Sequence, residues 1–350
     1  MSKLQGVGVD QTPAQLRRRV IAGMVLWLVF HFALGLLGTV WARRYALNAN
    51  LLDHPGARRS HDQATPRGGG IAIVISLLVA ALWLAFENPD RRVWLCCFTA
   101  GLSIIAAVGW IDDHRPLSAW IRLVAHVIAA AVLAWGLQQM YGNPWLSLGA
   151  GILAVGMTNA WNFMDGIDGL AASQAGLVAG AIAMATSGSD QWLAAALAAA
   201  CVGFLPMNFP KAKIFLGDVG SGAIGFAIAA LVAGLAGQHT PGWPLSFLPV
   251  AAFLVDTSLT LATRILRGEQ WWVAHVGHTF QVWARKLHAH RPVTLAYGVW
   301  TCMACLLWFA WREEDTIFIT LSLLAWYMAT TLLWVYLRRQ CNDASSGIRE

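Results

Sequence analysis

Charged side chains are scarce in this sequence. Only 12% of its 350 residues are Asp, Glu, Lys or Arg, against about twice that fraction in soluble domains. Cysteine is nearly as informative by its placement. Five of the six cysteines (Cys96, Cys97, Cys201, Cys302 and Cys305) lie inside apolar stretches, where a small thiol simply packs. The C-x-x-C of Cys302 and Cys305 puts both on one helix face, and no Cys or Glu completes a zinc set with the histidines. A disulfide scaffold and a zinc module are excluded. No small-residue cleavage site follows the first apolar run, which is too long for a signal-peptide core and is read as a helix. No internal repeat appears, which argues against the paired halves of many transporters.

Apolar residues are what the sequence has instead, at 57%. They form eleven runs, at 19–41, 70–86, 93–111, 121–141, 145–161, 169–187, 191–209, 220–237, 244–263, 293–311 and 316–337. Each is near the ~20 residues that a helix needs to cross the hydrocarbon core. Lipid leaves no backbone polar group unpaired, and the runs are too long for barrel strands. The expected fold is therefore all-α, a polytopic integral membrane protein of eleven transmembrane helices in a single domain, with tails at 1–18 and 338–350. Nineteen tryptophans fit that reading. Trp41, Trp110, Trp120, Trp145, Trp161, Trp192, Trp243 and Trp311 sit near run ends, where an interfacial belt would hold them.

Eleven spans make loop parity a test of orientation. Seventeen of the 24 lysines and arginines lie on the side of the loops after spans 1, 3, 5, 7 and 9 and the C-terminal tail, counting Arg122 at the edge of span 4. The positive-inside rule makes those loops cytoplasmic. The net charge of +6 thus belongs to membrane orientation, and no nucleic-acid partner is expected. Lys3 and Arg17–Arg19 are discordant, since they fall on the outside. The polar clusters follow the same parity as the basic residues, so one site on the cytoplasmic face is expected.

Asp112 and Asp113 follow span 3. Adjacent carboxylates raise the cost of ionising each other, which a divalent cation or a proton relieves; a solvated turn is the plainer alternative. The stretch 159–173 reads NAWNFMDGIDGLAAS. Asn162, Asp165 and Asp168 recur every three residues, and two Asp-Gly pairs point to a bent backbone, with Asp168 as N-cap of span 6. A turn plus a cap explains one Asp-Gly but not two with Asn162. FPKAKIFLGDVGSG then enters span 8, where free N–H groups at the helix start favour phosphate and Asp218 is placed to hold Mg²⁺. As a lone residue Asp218 reads equally well as a cap. Lys211 and Lys213 add positive charge, and Phe215 offers a flat face for a base. The first loop holds His54, Arg58, Arg59, His61, Arg67 and Gly68–Gly70, suited to an anion but basic by default on this side. The last loop carries His275-x-x-His278 and His288-x-His290-Arg291, better suited to hydrogen bonding a substrate than to binding metal. His31 and His126 sit alone in spans, where packing or helix–helix hydrogen bonding explains them. Asp256, inside span 9, needs a partner or a wet cavity; Arg264 is within reach of it along the helix.

In order, the Asp-Asp pair, N-x-x-N-F-x-D-G-x-D-G-L-A, F-x-G-D-x-G-S, an early H-x-x-x-x-P-R-G-G and a final H-x-x-H closely resemble the polyprenyl-phosphate N-acetylhexosamine-1-phosphate transferases. The resemblance covers residues 20–337. It implies a multi-pass enzyme of the bacterial inner membrane. Such an enzyme moves a sugar phosphate from a UDP-N-acetylhexosamine to undecaprenyl phosphate, releases UMP, and requires Mg²⁺ or Mn²⁺ in its place. By that analogy Asp218 and Asp113 hold the metal, and Asp112, Asp113 and Asp165 are catalytic. Asn162, Asp168 and Phe215 would serve the nucleotide, His275 and His278 the sugar, and Arg58, His61 and Arg67 the anionic substrate. Which of Asp112 and Asp113 takes a proton from the lipid phosphate, if either does, stays open, as does a homodimer. The separated histidines of H-V-G-H differ from the adjacent run of the peptidoglycan branch and look more like the O-antigen initiating branch. An aromatic prenyltransferase would show N-D-x-x-D-x-x-x-D, and a flippase would show mid-span charges in inverted repeats. Neither pattern is present beyond Asp256.

Overall fold

The computed structural model describes residues 13–54, 63–270, 272 and 277–346. Twelve α-helices carry this part of the chain: α1 (Pro13–Asn48), α2 (Ile71–Glu87), α3 (Arg92–His114), α4 (Ala119–Tyr141), α5 (Pro144–Met164), α6 (Leu170–Ala185), α7 (Gly188–Asn208), α8 (Asp218–Gly237), α9 (Ala251–Leu266), α10 (Thr279–Leu287), α11 (Arg291–Trp311) and α12 (Thr316–Ser346). A two-residue antiparallel ladder joins β1 (Leu52–Asp53) to β2 (Thr65–Pro66).

Eleven of these helices lie on the eleven apolar runs. Seven are long and apolar enough to cross a membrane, and α2 and α6 are apolar but shorter. Large apolar side chains such as Leu26, Trp41, Phe86, Trp145 and Ile317 are exposed on the outer faces, a surface suited to lipid and not to water. The chain is an all-α polytopic membrane protein. Two departures from the expected elements matter. The ninth run opens as a 3-10 turn at Trp243–Phe247, and its helix begins only at Ala251. The additional helix, α10, lies within the last histidine-rich loop.

The core is built around α8. Its sequence is mostly Gly, Ala and small aliphatics, and every residue from Val219 to Ala236 is buried. Helices in lipid gain little from the hydrophobic effect between them, so close packing of small residues carries their association. Accordingly α3 and α5 pack along α8, and Phe98 stacks on Phe226 with ring centroids 6.0 Å apart. At the start of α8 the contact is closer still: a Cβ on Gly70 would meet the Gly220 backbone, and one on Gly220 would meet Gly70. That approach lays the R-G-G-G loop on the start of α8.

Alternate connections gather at opposite ends of the bundle. At one end, Arg43 at the end of α1 donates to the Lys213 carbonyl at 3.1 Å, beside the ends of α3 and α5. At the other end, Arg91 before α3 pairs with Asp190 at the start of α7 at 3.1 Å, and Gln238 after α8 donates to the same carboxylate. His31 bonds Ser76 across α1 and α2 at 2.7 Å, the helix–helix hydrogen bond expected of it. Trp161 departs from the expected belt. It is buried in the bundle, with its indole N–H on the Ala171 carbonyl at 3.2 Å, because its face of α5 turns inward onto α6.

Candidate active site

Asp113 sits in the last turn of α3 and is 1% exposed. Its two carboxylate oxygens accept from the backbone N–H groups of Asp218 and Val219, each at 3.1 Å. A helix start leaves several amides without an intrahelical partner, and here a side chain from another helix supplies one. The N–H groups expected to be free for phosphate at this terminus are therefore already used. Gly217 makes the arrangement possible. It has φ 77°, where L side chains are strained, and a Cβ there would lie 2.6 Å from the Asp113 carboxylate.

Asp112 faces the other way. It accepts from Arg122 in the first turn of α4 at 2.8 Å and from the Leu117 amide at 2.5 Å. It also lies within reach of Asp218. Asn162, from the last turn of α5, donates its amide to the Asp218 carboxylate and to Ser221 at 3.1 Å. Asn162 thus serves the acid of α8. Arg67 donates to the Asp113 carbonyl, and its Nε lies 3.9 Å from the Asp113 carboxylate. That buried Nε makes no hydrogen bond among the described residues.

The loop after α5 bends as the two Asp-Gly pairs predict, and its two acids part company. Among the described residues no hydrogen bond reaches the Asp165 carboxylate. Burial, and then the carboxylates of Asp218, Asp113 and Asp168, push its pKa well above the ordinary carboxyl range. Asp168 is turned into the protein: it accepts from the Ala212 amide at 3.0 Å and lies 3.0 Å from His290 Nδ1, while Thr294 donates to its carbonyl at 2.8 Å. It is not the N-cap of α6. Gly169 holds that place with φ 71°, its amide bonded to Asn208 Oδ1 at 2.9 Å.

Phe215 lies on the strand-like stretch beside the first loop. Its amide donates to the Pro66 carbonyl at 2.8 Å, and its carbonyl accepts from Gly69 at 2.9 Å. His278 is the N-cap of α10 and closes a capping box with Gln281. It stacks on Phe163 of α5 with centroids 5.9 Å apart. Asp256 is not paired with Arg264, which binds Glu269 at 2.8 Å; the start of α10, Thr260 and Trp334 supply its partners instead. Arg58, His61 and His275 lie outside the described residues.

The structure therefore brings Asp112, Asp113, Asn162, Asp165, Asp218 and Arg67 together from four connections, and turns Asp168 away. Sequence reasoning missed Arg122 as a member of this assembly, and it missed Asn208 and Thr294, which hold the turned-away Asp168–Gly169 stretch. Arg122 carried a signal: it is a lone cation at the start of the apolar run that follows the acidic pair. Among the described residues no three His, Cys, Asp or Glu side chains converge closely enough to hold a metal ion unaided. The donor set is still all carboxylate oxygen. Mg²⁺ suits that chemistry, since it commonly takes one or two carboxylates and completes its shell with phosphate and water.

The chain matches the family model described as Glycosyl transferase family 4 over residues 95–236, the region from α3 to the end of α8. It is 30% identical over 331 residues to a decaprenyl-phosphate N-acetylglucosaminephosphotransferase of Mycobacterium leprae (strain TN), covering 81% of each chain. Against a probable undecaprenyl-phosphate N-acetylglucosaminyl 1-phosphate transferase of Bacillus subtilis (strain 168) it is 32% identical over 271 residues, 72% of this chain and 74% of the relative. A phospho-N-acetylmuramoyl-pentapeptide-transferase of Lactiplantibacillus plantarum is 33% identical over 195 residues, 48% of this chain and 60% of the relative. With this sequence similarity, this membrane fold and these acids at one end of the bundle, the chain belongs to the polyprenyl-phosphate N-acetylhexosamine-1-phosphate transferases of glycosyl transferase family 4.

Proposed function

We propose that the protein transfers N-acetylhexosamine-1-phosphate from a UDP-sugar to undecaprenyl phosphate at the cytoplasmic face of a bacterial inner membrane, releasing UMP. The product, an undecaprenyl-diphosphate-sugar, would start an O-antigen or related surface polysaccharide. UDP-N-acetylglucosamine is the favoured donor, because relatives named for N-acetylglucosamine match over more of the chain than the muramoyl-pentapeptide enzyme does.

The observation that carries this reading is the meeting of Asp113, Asp165 and Asp218 beside Arg67. Phosphoryl transfer asks for positioning and charge neutralisation more than for covalent help. Asp113 and Asp218 would hold Mg²⁺, with Asp165 beside them, and the bound ion would offset the charge that develops on the transferring phosphate. Arg67, whose side chain is partly exposed, is suited to a phosphate oxygen of either reactant. Asn162 orients Asp218, and Arg122 holds Asp112. Phe215 and His278 border the same region and are assigned to the nucleotide and the sugar side.

The test is to supply purified protein and undecaprenyl phosphate with a panel of UDP-N-acetylhexosamines and measure UMP. UDP-N-acetylglucosamine is expected to release UMP in the presence of Mg²⁺. Failure of every donor to release UMP would overturn the assignment.

A further inference from the structure

Asp256 is a carboxylate that the proposed chemistry does not use. It lies within α9, is 1% exposed, and would be costly there without partners. Its partners come largely from one place. The amides of Thr279 and Phe280, at the start of α10, donate to it at 3.0 and 3.4 Å. Trp334 of α12 adds its indole N–H at 2.9 Å, and Thr260 its hydroxyl at 3.1 Å. An acid at a helix start is favoured by the free amides and the macrodipole together. Asp256 therefore pins the beginning of α10 to the bundle.

What α10 touches on its other side is the acidic loop. A Cβ on Gly166, between Asp165 and Asp168, would lie 2.9 Å from Gln281 Nε2 and 3.0 Å from the Phe280 ring. His278, one residue before the pinned amides, stacks on Phe163, one residue after Asn162. The first turn of α10 thus rests on the loop that carries Asp165, and Asp256 sets its height there.

Resting on the transferase reading above, we propose that Asp256 is a positioning residue. From inside α9 it holds the first turn of α10 against the Asp165 loop and so fixes the sugar-nucleotide side of the site. The lipid acceptor does not depend on it.

The experiment compares wild type with Asp256→Asn in two readouts: separate KM values for UDP-N-acetylglucosamine and undecaprenyl phosphate, and amide hydrogen exchange across the chain. Small misplacements of positioning groups are costly, so the donor KM should rise roughly tenfold while the lipid KM stays within about twofold. Exchange should quicken over residues 277–287 and stay unchanged in α8. An unchanged donor KM with unchanged exchange at 277–287 overturns the proposal. So does a proportional rise in both KM values with faster exchange throughout, which marks general loosening. Should Asp256→Asn not accumulate, Gly166→Ala decides. Its Cβ pushes on the same turn, the same donor-selective rise is expected, and an unchanged donor KM counts against positioning. If wild type releases no UMP from any donor, the transferase reading fails, and the exchange at 277–287 still decides whether Asp256 holds α10.

Discussion

Asp113 reaches Asp218 through the backbone: its carboxylate accepts the Asp218 amide N–H at 3.1 Å and the Val219 amide at the same distance. One acid therefore caps the helix that presents the other. The cap ties the last turn of α3 to the first of α8, so the Asp113 carboxylate is held at a fixed place against the main chain that carries Asp218.

Asp113→Ala should consequently do two things. Loss of a helix cap costs about 1 kcal/mol, which should appear as a lower unfolding midpoint in detergent. Transfer should also fall by roughly 100-fold or more, as when one stabilising group of a preorganised site is removed. Asp113→Asn keeps an oxygen for one amide. It should recover part of the stability and little of the activity, and equal midpoints for the two variants would argue against the cap.

Asp165 predicts an opposite sign. Its folded-state pKa is raised by burial and three neighbouring carboxylates, so the folded state favours the proton. The stability this provides is full below the ordinary carboxyl pKa and is lost as pH rises through the elevated value. Metal-free Asp165→Asn should therefore unfold at a higher temperature than wild type near neutral pH, with the gap closing in acid, while transfer is lost. Thermal scans across pH without divalent cation check this; a constant gap would contradict it.

Arg122 is the counter-ion of Asp112, at 2.8 Å. Removing it leaves a buried carboxylate unpaired, and Arg122→Ala should cost about 2 kcal/mol, less than a fully buried pair because the arginine is partly exposed. Asp112→Asn in the same chain should return much of that stability. A double-mutant cycle measures the coupling, and additive effects would mean that the two residues act independently.

Asp168 was expected at the nucleotide, but both of its oxygens face protein partners, Ala212 and His290. His290→Ala should lower the unfolding midpoint and leave the donor KM within about threefold, since a merely structural tie is lost and no substrate contact is. A donor KM raised far beyond that would return Asp168 to the substrate.

Much of this was legible in the sequence. Carboxylates are expensive near lipid, so Asp113, Asp165 and Asp218 stood out against apolar flanks, and loop parity placed them at one end. What escaped has physical reasons. Helix α10 is nine residues in a basic, histidine-rich loop, too short for an apolar run and capped by a histidine, not by Ser or Asp. Trp161 looked interfacial because it is near a helix end, but the direction of its face depends on α6. Apart from Thr260, one turn along α9, the partners of Asp256 are 23 and 24 residues along the chain on α10 and 78 on α12, where no helical spacing could reveal them. The helix start at Asp218 read as open to phosphate, and only the approach of α3 shows it filled.

In the proposed function Asp113 and Asp218, from two separate connections, hold one divalent cation that the reactants share, with Asp165 of a third connection beside it. Titrating Mn²⁺ by electron paramagnetic resonance into the protein with UDP-N-acetylglucosamine, for wild type and for Asp113→Asn, Asp165→Asn and Asp218→Asn, tests it most directly. A saturable bound-Mn²⁺ signal is expected in wild type, and it should weaken in each variant. Undiminished Mn²⁺ binding in all three variants would contradict it.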